Sequence, residues 1–582
     1  MSEFKLSYYL KKEKEISNQK FDKEIRVAIL SSFTINGLQE VLRVKCANKK
    51  ILCHTYVSGY NQYNQEILDA GSKLYSFKPD FTFLILDVRS ILGDLFFLPN
   101  SISVSERKNF VENKVKDLHN LVNSFVKSSD SKLVISNLNI PNYSPYGIYE
   151  FKDEYGLKEM IQNLNNKLVS KLRDEQSVYI YDFNGFVNRF GEENIFDYRQ
   201  YFFGDVKISL DFLPYLGADF MGYLLPALSA NKKCIVVDLD NTLWGGIVGE
   251  DGFNDIQLGP NRPGNAFVEF QKCLLALHQR GIILAVNSRN NLDDAMQVIN
   301  EHPHMVLRDG HFACYMINWN DKISNMKEIA KELNIGLDSI VYFDDDPINR
   351  EIMKKAIPEV QTIDLPNDPS LYAKILKSMQ EFNVLKITKE DIEKGKMYLQ
   401  QRHRSEFKGS INLNDYLKGL GIKVKIRQVD DFSLPRVSQL TLKTNQFNLT
   451  TRRYQEEEIR KFKNDRNVLV GYAQVEDKFG DNGITGVYII KKEKPSEWLI
   501  DTFLLSCRVI GRGIENTMLS SILKEAKNEG VTKVKGEFIP TKKNRPCENF
   551  FPSFGFVKNQ DYWEYNSEKD LEIPEYIQVD QK

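Results

Sequence analysis

Short apolar runs alternate with stretches whose apolar residues return every three or four positions, and this alternation organises the first two thirds of the chain. Arg26-Val-Ala-Ile-Leu-Ser-Ser32, Phe81-Thr-Phe-Leu-Ile-Leu-Asp87 and Lys132-Leu-Val-Ile-Ser-Asn137 read as buried strands, and Asn36 to Arg43 starts a helix between the first two. Buried strands separated by helices predict a parallel sheet. The pattern restarts at Asn231. There the strand Lys233 to Val237 is followed by a helix from Ala266 to Arg280, stopped by Gly281, and then by a strand from Ile282 to Ser288. A helix from Met326 to Leu333 and a strand Ser339-Ile-Val-Tyr-Phe343 complete it. Beyond Lys386 the pattern changes. Lys389 to Phe407 is charged and helical in period, with Ile392, Met397, Tyr398 and Gln401 on one side and a solvated face opposite. Strands follow at Val468–Glu476 and Gly486–Ile490 around a turn Asp477–Gly483, then a strand from Trp498 and a helix to about Glu529. The reading is an α/β protein of three domains, at residues 1–230, 231–386 and 413–582, with a helical connector at 387–412.

Charge and cysteine usage narrow the partners. With 78 basic and 79 acidic residues there is no electrostatic case for nucleic acid or an anionic membrane. Met1 to Glu24 is lysine-rich without a signal-peptide core, and no later apolar run reaches the length of a membrane span. The seven cysteines lie without any close pair of metal-ligand spacing, which predicts free thiols in a reducing cytoplasm.

The candidate chemistry lies where the strands of the second domain end. In Lys233-Cys-Ile-Val-Val-Asp-Leu-Asp-Asn-Thr-Leu-Trp-Gly-Gly246 a buried run delivers Asp238 and Asp240 to a turn, pointing the same way because alternate strand residues share a face, with Thr242 just beyond. Adjacent carboxylates repel unless a cation lies between them, and hard oxygen ligands suit magnesium together with a substrate phosphate. Gly245 to Gly252 reads as a flexible flap beside them. Ser288 and Arg289 stand at the carboxyl end of the next strand, Lys322 just ahead of a helix, and Asp344 and Asp345 at the end of the strand after that. The intervals from Thr242 to Ser288 and from Ser288 to Lys322 hold a helix and loops but no lid domain, so the site is expected to be uncapped.

This ordered set resembles the haloacid-dehalogenase (HAD) phosphatases. The resemblance implies Asp238 as phosphoryl-accepting nucleophile and Asp240 as acid and base. It implies Ser288 and Lys322 as phosphoryl holders, with Mg2+ on Asp238, the backbone carbonyl of Asp240, and Asp344 or Asp345. The first domain resembles the SGNH-hydrolase-like domain, with Ser31 or Ser32 at the nucleophile's place. Ser209 to Asp219 offers no histidine to activate a serine, so docking or substrate shaping is expected there rather than catalysis. In the third domain a strand, then Arg508-Val-Ile-Gly511-Arg512-Gly513, then a helix is an arrangement able to cradle a pyrophosphate. It resembles the acyl-CoA loop of GNAT acyltransferases, and Asn549 to Phe556 resembles that fold's later strand region.

From Lys232-Lys-Cys-Ile-Val-Val-Asp-Leu-Asp-Asn-Thr-Leu-Trp through Phe343-Asp-Asp-Asp-Pro and Lys443-Thr-Asn-Gln-Phe-Asn-Leu-Thr-Thr-Arg-Arg-Tyr454 to Asp501-Thr-Phe-Leu-Leu-Ser-Cys-Arg508, the chain resembles the FkbH-like proteins. That resemblance implies transfer of a glyceryl unit from 1,3-bisphosphoglycerate, with dephosphorylation, to the phosphopantetheine thiol of an acyl carrier protein in polyketide-type assembly. Family members often carry a cysteine before the motif serine. Here that position is Asn287, which forms no thioester. Cys507, beside Arg508 and near Arg512, is the thiol placed best for an acyl adduct. The alternative is a magnesium-dependent phosphatase of a phosphorylated metabolite, whose flanking domains are binding modules.

Overall fold

Buried runs become strands wherever their apolar faces meet helices on both sides. The computed structural model describes residues 5–16, 19–408, 412–541, 543–567 and 571–581. They fall into two units, Met1–Leu225 and Pro226–Lys582.

In the first unit β1 (Lys23–Ser31), β2 (Ile51–Val57), β3 (Phe81–Ile85), β4 (Lys132–Ser136) and β5 (Val178–Tyr181) form a parallel sheet in the order β2-β1-β3-β4-β5. Every residue of β3 is buried, as a central strand covered on both faces requires. The long helix Val104–Ser128 is started by a capping box, Ser103 with Glu106. Strand order reverses between β1 and β3, which opens a crevice at their carboxyl ends.

The second unit holds two sheets. β6 (Cys234–Val237), β7 (Ile283–Ser288), β8 (Phe312–Ile317), β9 (Ile340–Phe343) and β10 (Gln361–Thr362) are parallel in the order β10-β9-β6-β7-β8, the arrangement expected of a HAD core. Its connections contain helices such as Gly264–Gln279 and Leu292–Glu301 and no inserted lid among the described residues. The third sheet is mixed. It contains β11 (Ile422–Gln428), β12 (Phe447–Asn448), β13 (Val468–Asp477), β14 (Gly480–Lys494), β15 (Glu497–Leu505), β16 (Lys533–Gly536), β17 (Val557–Asn559), β18 (Tyr562–Asn566) and β19 (Ile577–Gln581). The order is β17-β18-β16-β15-β14-β13-β11-β19, and β12 pairs with β15 at Leu504 and Leu505, beyond the end of the β15–β16 pairing. The expected turn at Asp477–Gly483 is a tight reversal between β13 and β14, in which Asp477 pairs with Gly480. Asn549–Phe556 is not strand: Phe550–Ser553 is a helical turn, and pairing resumes only at Val557. Its phenylalanines Phe550 and Phe551 pack into the core under the sheet. No helix among the described residues is long and apolar enough to cross a membrane.

The connector helix Lys389–Lys408 lies against both β8 and β14. Met397 and Tyr398 are buried as its period predicts, whereas Ile392 is exposed. The expected solvated face is partly internal. Arg404 donates to both oxygens of Asp477 at 2.8 and 2.7 Å, and neither side chain has exposed surface. A buried charge stays ionised only beside its partner, and removing one member costs about 3–5 kcal/mol. Asp477→Ala should therefore lower the unfolding free energy of the second unit by that amount, read as a lower urea midpoint. Phosphate release per folded molecule should be unchanged, and an unshifted midpoint would mean that the pair contributes nothing.

Candidate active site

β6 ends at Val237, and the chain leaves the strand before Asp240, so the two aspartates part rather than share a face. Asp238 is fixed by its backbone N–H to Phe343 O at 2.9 Å and points into a buried cluster. Lys322 donates from Nζ to Asp238 Oδ2 and to Asp344 Oδ2, each at 2.6 Å. Lys322 opens the helix Lys322–Glu332, whose first turn is capped by Asp321 through Ile323 N and Ser324 N. The buried Ser288 hydroxyl, at the end of β7, is close enough to Asp238 to favour its ionised form. Asn287, one residue earlier, donates to Lys322 O at 2.9 Å and so anchors the lysine's backbone.

Asp344 is fully engaged. Beyond Lys322 it accepts from the Tyr342 hydroxyl and from Asp346 N at 2.9 Å, and Arg350 holds its backbone carbonyl at 2.8 Å. Among the described residues the Asp345 side chain bonds only Thr242: Asp345 N donates to Thr242 Oγ1 at 3.2 Å and Asp345 Oδ1 lies 3.5 Å from the same hydroxyl, while Arg350 bonds the Asp345 carbonyl. Thr242 is buried, and its hydroxyl is taken up by Asp345.

Asp240 turns to a separate set of donors. Trp244 Nε1 and Val248 N reach Oδ1 at 2.9 and 3.1 Å, and Asn290 Nδ2 reaches Oδ2 at 2.9 Å. Val248 begins a helical turn, Val248–Asp251, so the glycine-rich stretch is no loose flap. Gly246 and Gly252 take φ of 91° and 80°, and Gly246 N and Ile247 N bond the Asn241 and Asp251 side chains. Arg289 is exposed, and the side chain facing the site is that of the next residue, Asn290. Asn290, Trp244 and Tyr342 bond the site carboxylates and were not included in the motif reading. Of these only Tyr342 had a clear signal, lying two residues before Asp344 in a strand.

Burial, and then the neighbouring Asp344, push the Asp238 carboxyl up against the pull of Lys322. Burial also raises Asp240. For Lys322 burial works the other way, yet the Asp238 and Asp344 carboxylates carry it above the ordinary lysine value. Asp345 is pushed up to about 7 by burial, with Asp238 and Asp344 adding to the rise. Oxygens of Asp238, Asp344 and Asp345 lie within 4.8 Å of one another. A set of crowded hard oxygens that resist ionisation together fits Mg2+. With Asp344 committed to Lys322, Tyr342 and Asp346, the Asp345 carboxylate has the more oxygen lone pairs to offer a cation.

The sign for stability follows. A carboxyl whose folded value lies above its ordinary 3.8 stabilises the fold fully below that pH and loses the contribution as pH rises through about 7. Metal-free protein should accordingly melt lower at pH 8 than at pH 5.5. Mg2+ at a hundredfold excess over its Kd should restore about 2.7 kcal/mol at pH 8. Thermal unfolding in EDTA and in Mg2+ at the two pH values checks this, and equal melting in all four conditions contradicts it.

The third sheet departs from its expected role. Gly511 and Gly513 take the positive φ, 75° and 81°, of a tight loop leading into the helix Ile514–Asn528. The arginines, however, face the protein. Arg508 Nε lies 3.3 Å from Ser506 Oγ and Nη1 rests on Met397 Sδ, while Arg512 donates to Gln401 Oε1 at 2.6 Å and Asp477 Oδ2 at 3.2 Å. Met397 and Gln401 belong to the connector helix, which thus takes up the guanidinium groups expected to hold a pyrophosphate. The Cys507 side chain lies outside the described residues, and its backbone forms a 3-10 turn, Cys507–Val509, after β15.

Residues 26–224 match the family described as FkbH, N-terminal domain. No curated protein matches the chain. Among solved structures, the N-terminal part of BF1531 from Bacteroides fragilis is described as containing a phosphatase domain and complexed with Mg. It is similar over 65% of this chain and 99% of its own, with 26% identity and a TM-score of 0.60. A domain from Methanocaldococcus jannaschii is similar over 25% of this chain and 99% of its own, with 21% identity and a TM-score of 0.21. The ribosomal-protein-S18-alanine N-acetyltransferase from Escherichia coli is similar over 24% of this chain and 90% of its own, with 13% identity and a TM-score of 0.20.

Proposed function

We propose that this chain, FkbH-like in residues 26–224, is a magnesium-dependent phosphatase that works through Asp238. The observation that carries the reading is the division of labour at the end of β6. Asp238 lies in a buried cluster with Lys322, Asp344 and Asp345, while Asp240 is held apart by three neutral donors. Asp238 attacks phosphorus, an Asp–O–P bond forms, and the bond to the leaving oxygen breaks. Asp240, whose carboxyl burial pushes upward, gives a proton to that oxygen and afterwards takes one from the water that cleaves the aspartyl phosphate. Lys322 and Ser288 hold the phosphoryl oxygens, where charge neutralisation and positioning lower the barrier. Asp238 and Asp345 would hold Mg2+, which would supply further neutralisation of the phosphoryl charge. The BF1531 fragment's magnesium and phosphatase description support this reading.

We extend the proposal to glyceryl transfer, in which the thiol of an acyl carrier protein attacks the acyl carbon of 1,3-bisphosphoglycerate. The C–S bond forms as the C–O bond to phosphate breaks, and the remaining phosphate ester is the HAD substrate. Burial raises the thiols of Cys234, Cys273, Cys314 and Cys547, contact with Cys53 and then burial raises that of Cys46, and Cys53 is itself buried in β2, so these six are poor acyl acceptors. Transfer then runs through Cys507 or directly to the carrier. A second reading, a phosphatase with flanking binding modules, draws support from the engaged Arg508 and Arg512. Intact-protein mass spectrometry with Mg2+, 1,3-bisphosphoglycerate and a panel of carrier proteins separates them. A glyceryl mass gain on a carrier supports transfer, phosphate release without it supports the second reading, and neither outcome sinks both. Within the chemistry, Asn290→Ala frees one Asp240 oxygen and should lower kcat about tenfold, the value of one hydrogen bond, with KM little changed. Steady-state kinetics measure this, and an unaltered kcat removes Asn290 from the positioning of Asp240.

A further inference from the structure

The first unit carries a pocket that the phosphoryl chemistry does not use. It opens at the carboxyl ends of β3 and β4, the end of the sheet at which open α/β folds bind ligands. The exit of β3 is fixed by side chains of both neighbours: Asp87 N donates to Ser32 Oγ at 2.7 Å and Leu86 N to Ser136 Oγ at 2.9 Å. Ser31 Oγ accepts from Phe33 N at 3.1 Å, and no histidine lines the pocket, so neither serine has a base to activate it. At the floor stands an ion pair instead. Lys207 Nζ bonds Asp87 and lies 3.4 Å from Asn139 Oδ1, and the Tyr201 hydroxyl is 3.3 Å from the other Asp87 oxygen. Both charges are buried and compensate each other.

Arg89 is uncompensated. Its guanidinium lies 5.1 to 5.6 Å from the ring centres of Phe96, Phe97, Tyr198 and Tyr201, and among the described residues it has no hydrogen bond or ion pair to a carboxylate. Glu192 also borders the pocket, but its carboxylate is engaged by Asn142 N at 2.6 Å. A guanidinium among ring faces keeps a planar fork of donors, and such a fork suits a carboxylate or phosphate. The pocket has about 310 Å3 of empty volume, its open mouth included.

We propose that this pocket binds a small carboxylate or phosphate, its anionic head taken by Arg89 and its body lying among Phe96, Phe196 and Tyr198. The site is independent of the phosphatase reading. Calorimetric titration of the full chain, carrying Asp238→Asn and kept in EDTA, with benzoate, phenyl phosphate and the headless benzyl alcohol tests it. Binding of benzoate alone identifies a carboxylate ligand, binding of phenyl phosphate alone a phosphate, and benzyl alcohol should give no heat. Arg89→Met should weaken the anion at least tenfold. Arg89→Lys, which keeps the charge and loses the fork, should also weaken it, and both variants should retain normal phosphate release in the Asp238 background. Any component that Arg89→Met leaves unchanged belongs to another site. The absence of Arg89-dependent binding for both anions overturns the proposal.

Discussion

Replacing Asp238 by asparagine should abolish phosphate release, a fall of about four orders of magnitude or more, while leaving the fold intact. The amide matches the carboxylate in shape but cannot form the aspartyl phosphate. The change removes a charge that burial already pushes toward its neutral form, and Lys322 keeps its 2.6 Å bond to Asp344. Melting temperature should therefore stay within a few degrees of the parent. Phosphate release under saturating Mg2+ measures the effect, and a variant retaining a tenth of parental turnover would remove Asp238 from the chemistry.

Lys322→Met should do damage of a different kind. It leaves Asp238 and Asp344 facing each other without the ammonium that bonds both. Orphaning buried charge in this way costs about 3–5 kcal/mol. The raised lysine value gives the sign: the stabilisation is fully present below the ordinary lysine range and is lost only as pH rises above it, so the parent keeps it throughout neutral pH. The variant should be least stable near pH 8 without metal and recover in part at pH 5, where the carboxyls take up protons. Turnover should also fall by about two to three orders of magnitude, since a donor to the transferring phosphoryl group is lost. Urea denaturation across pH tests the stability claim, and a variant as stable as the parent at pH 8 in EDTA would show that the three groups do not act as a cluster.

The strand-end residues of the second sheet were legible because the signal is local: a buried run stops, and a polar residue stands at its end. That logic locates Asp238, Ser288 and the Asp344–Asp345 pair, and the helix start locates Lys322. It fails by one residue after β7, where Arg289 turns outward and Asn290 inward. Trp244 reads as core, and it is fully buried, yet its indole N–H is a donor to Asp240. The connector misled for a longer-range reason. Charged residues at helical spacing read as solvated, and nothing near Arg404 in sequence announces Asp477 across the third sheet. Arg508 and Arg512 likewise have the composition of an anion cradle, but their nearest partners come from a helix more than a hundred residues earlier, 111 positions away for each. In the first unit the SGNH-like layout was visible in the strands, whereas Lys207 at the mouth of the sheet was not, because it lies in an irregular segment after the helix Tyr198–Gly204.

The connector helix bears on how such a protein can be recombined. It touches β8 with one side and β14 with another, and its arginine and glutamine complete the polar contacts of Asp477 and Arg512. A crossover placed on either side of it would hand the helix to one sheet and strip the other of its buried counter-charges. The second and third sheets are in this sense a single heritable cassette, and a chimera that keeps both parents' partners must carry residues 389–408 together with the β13–β14 reversal and the Arg508–Gly513 loop.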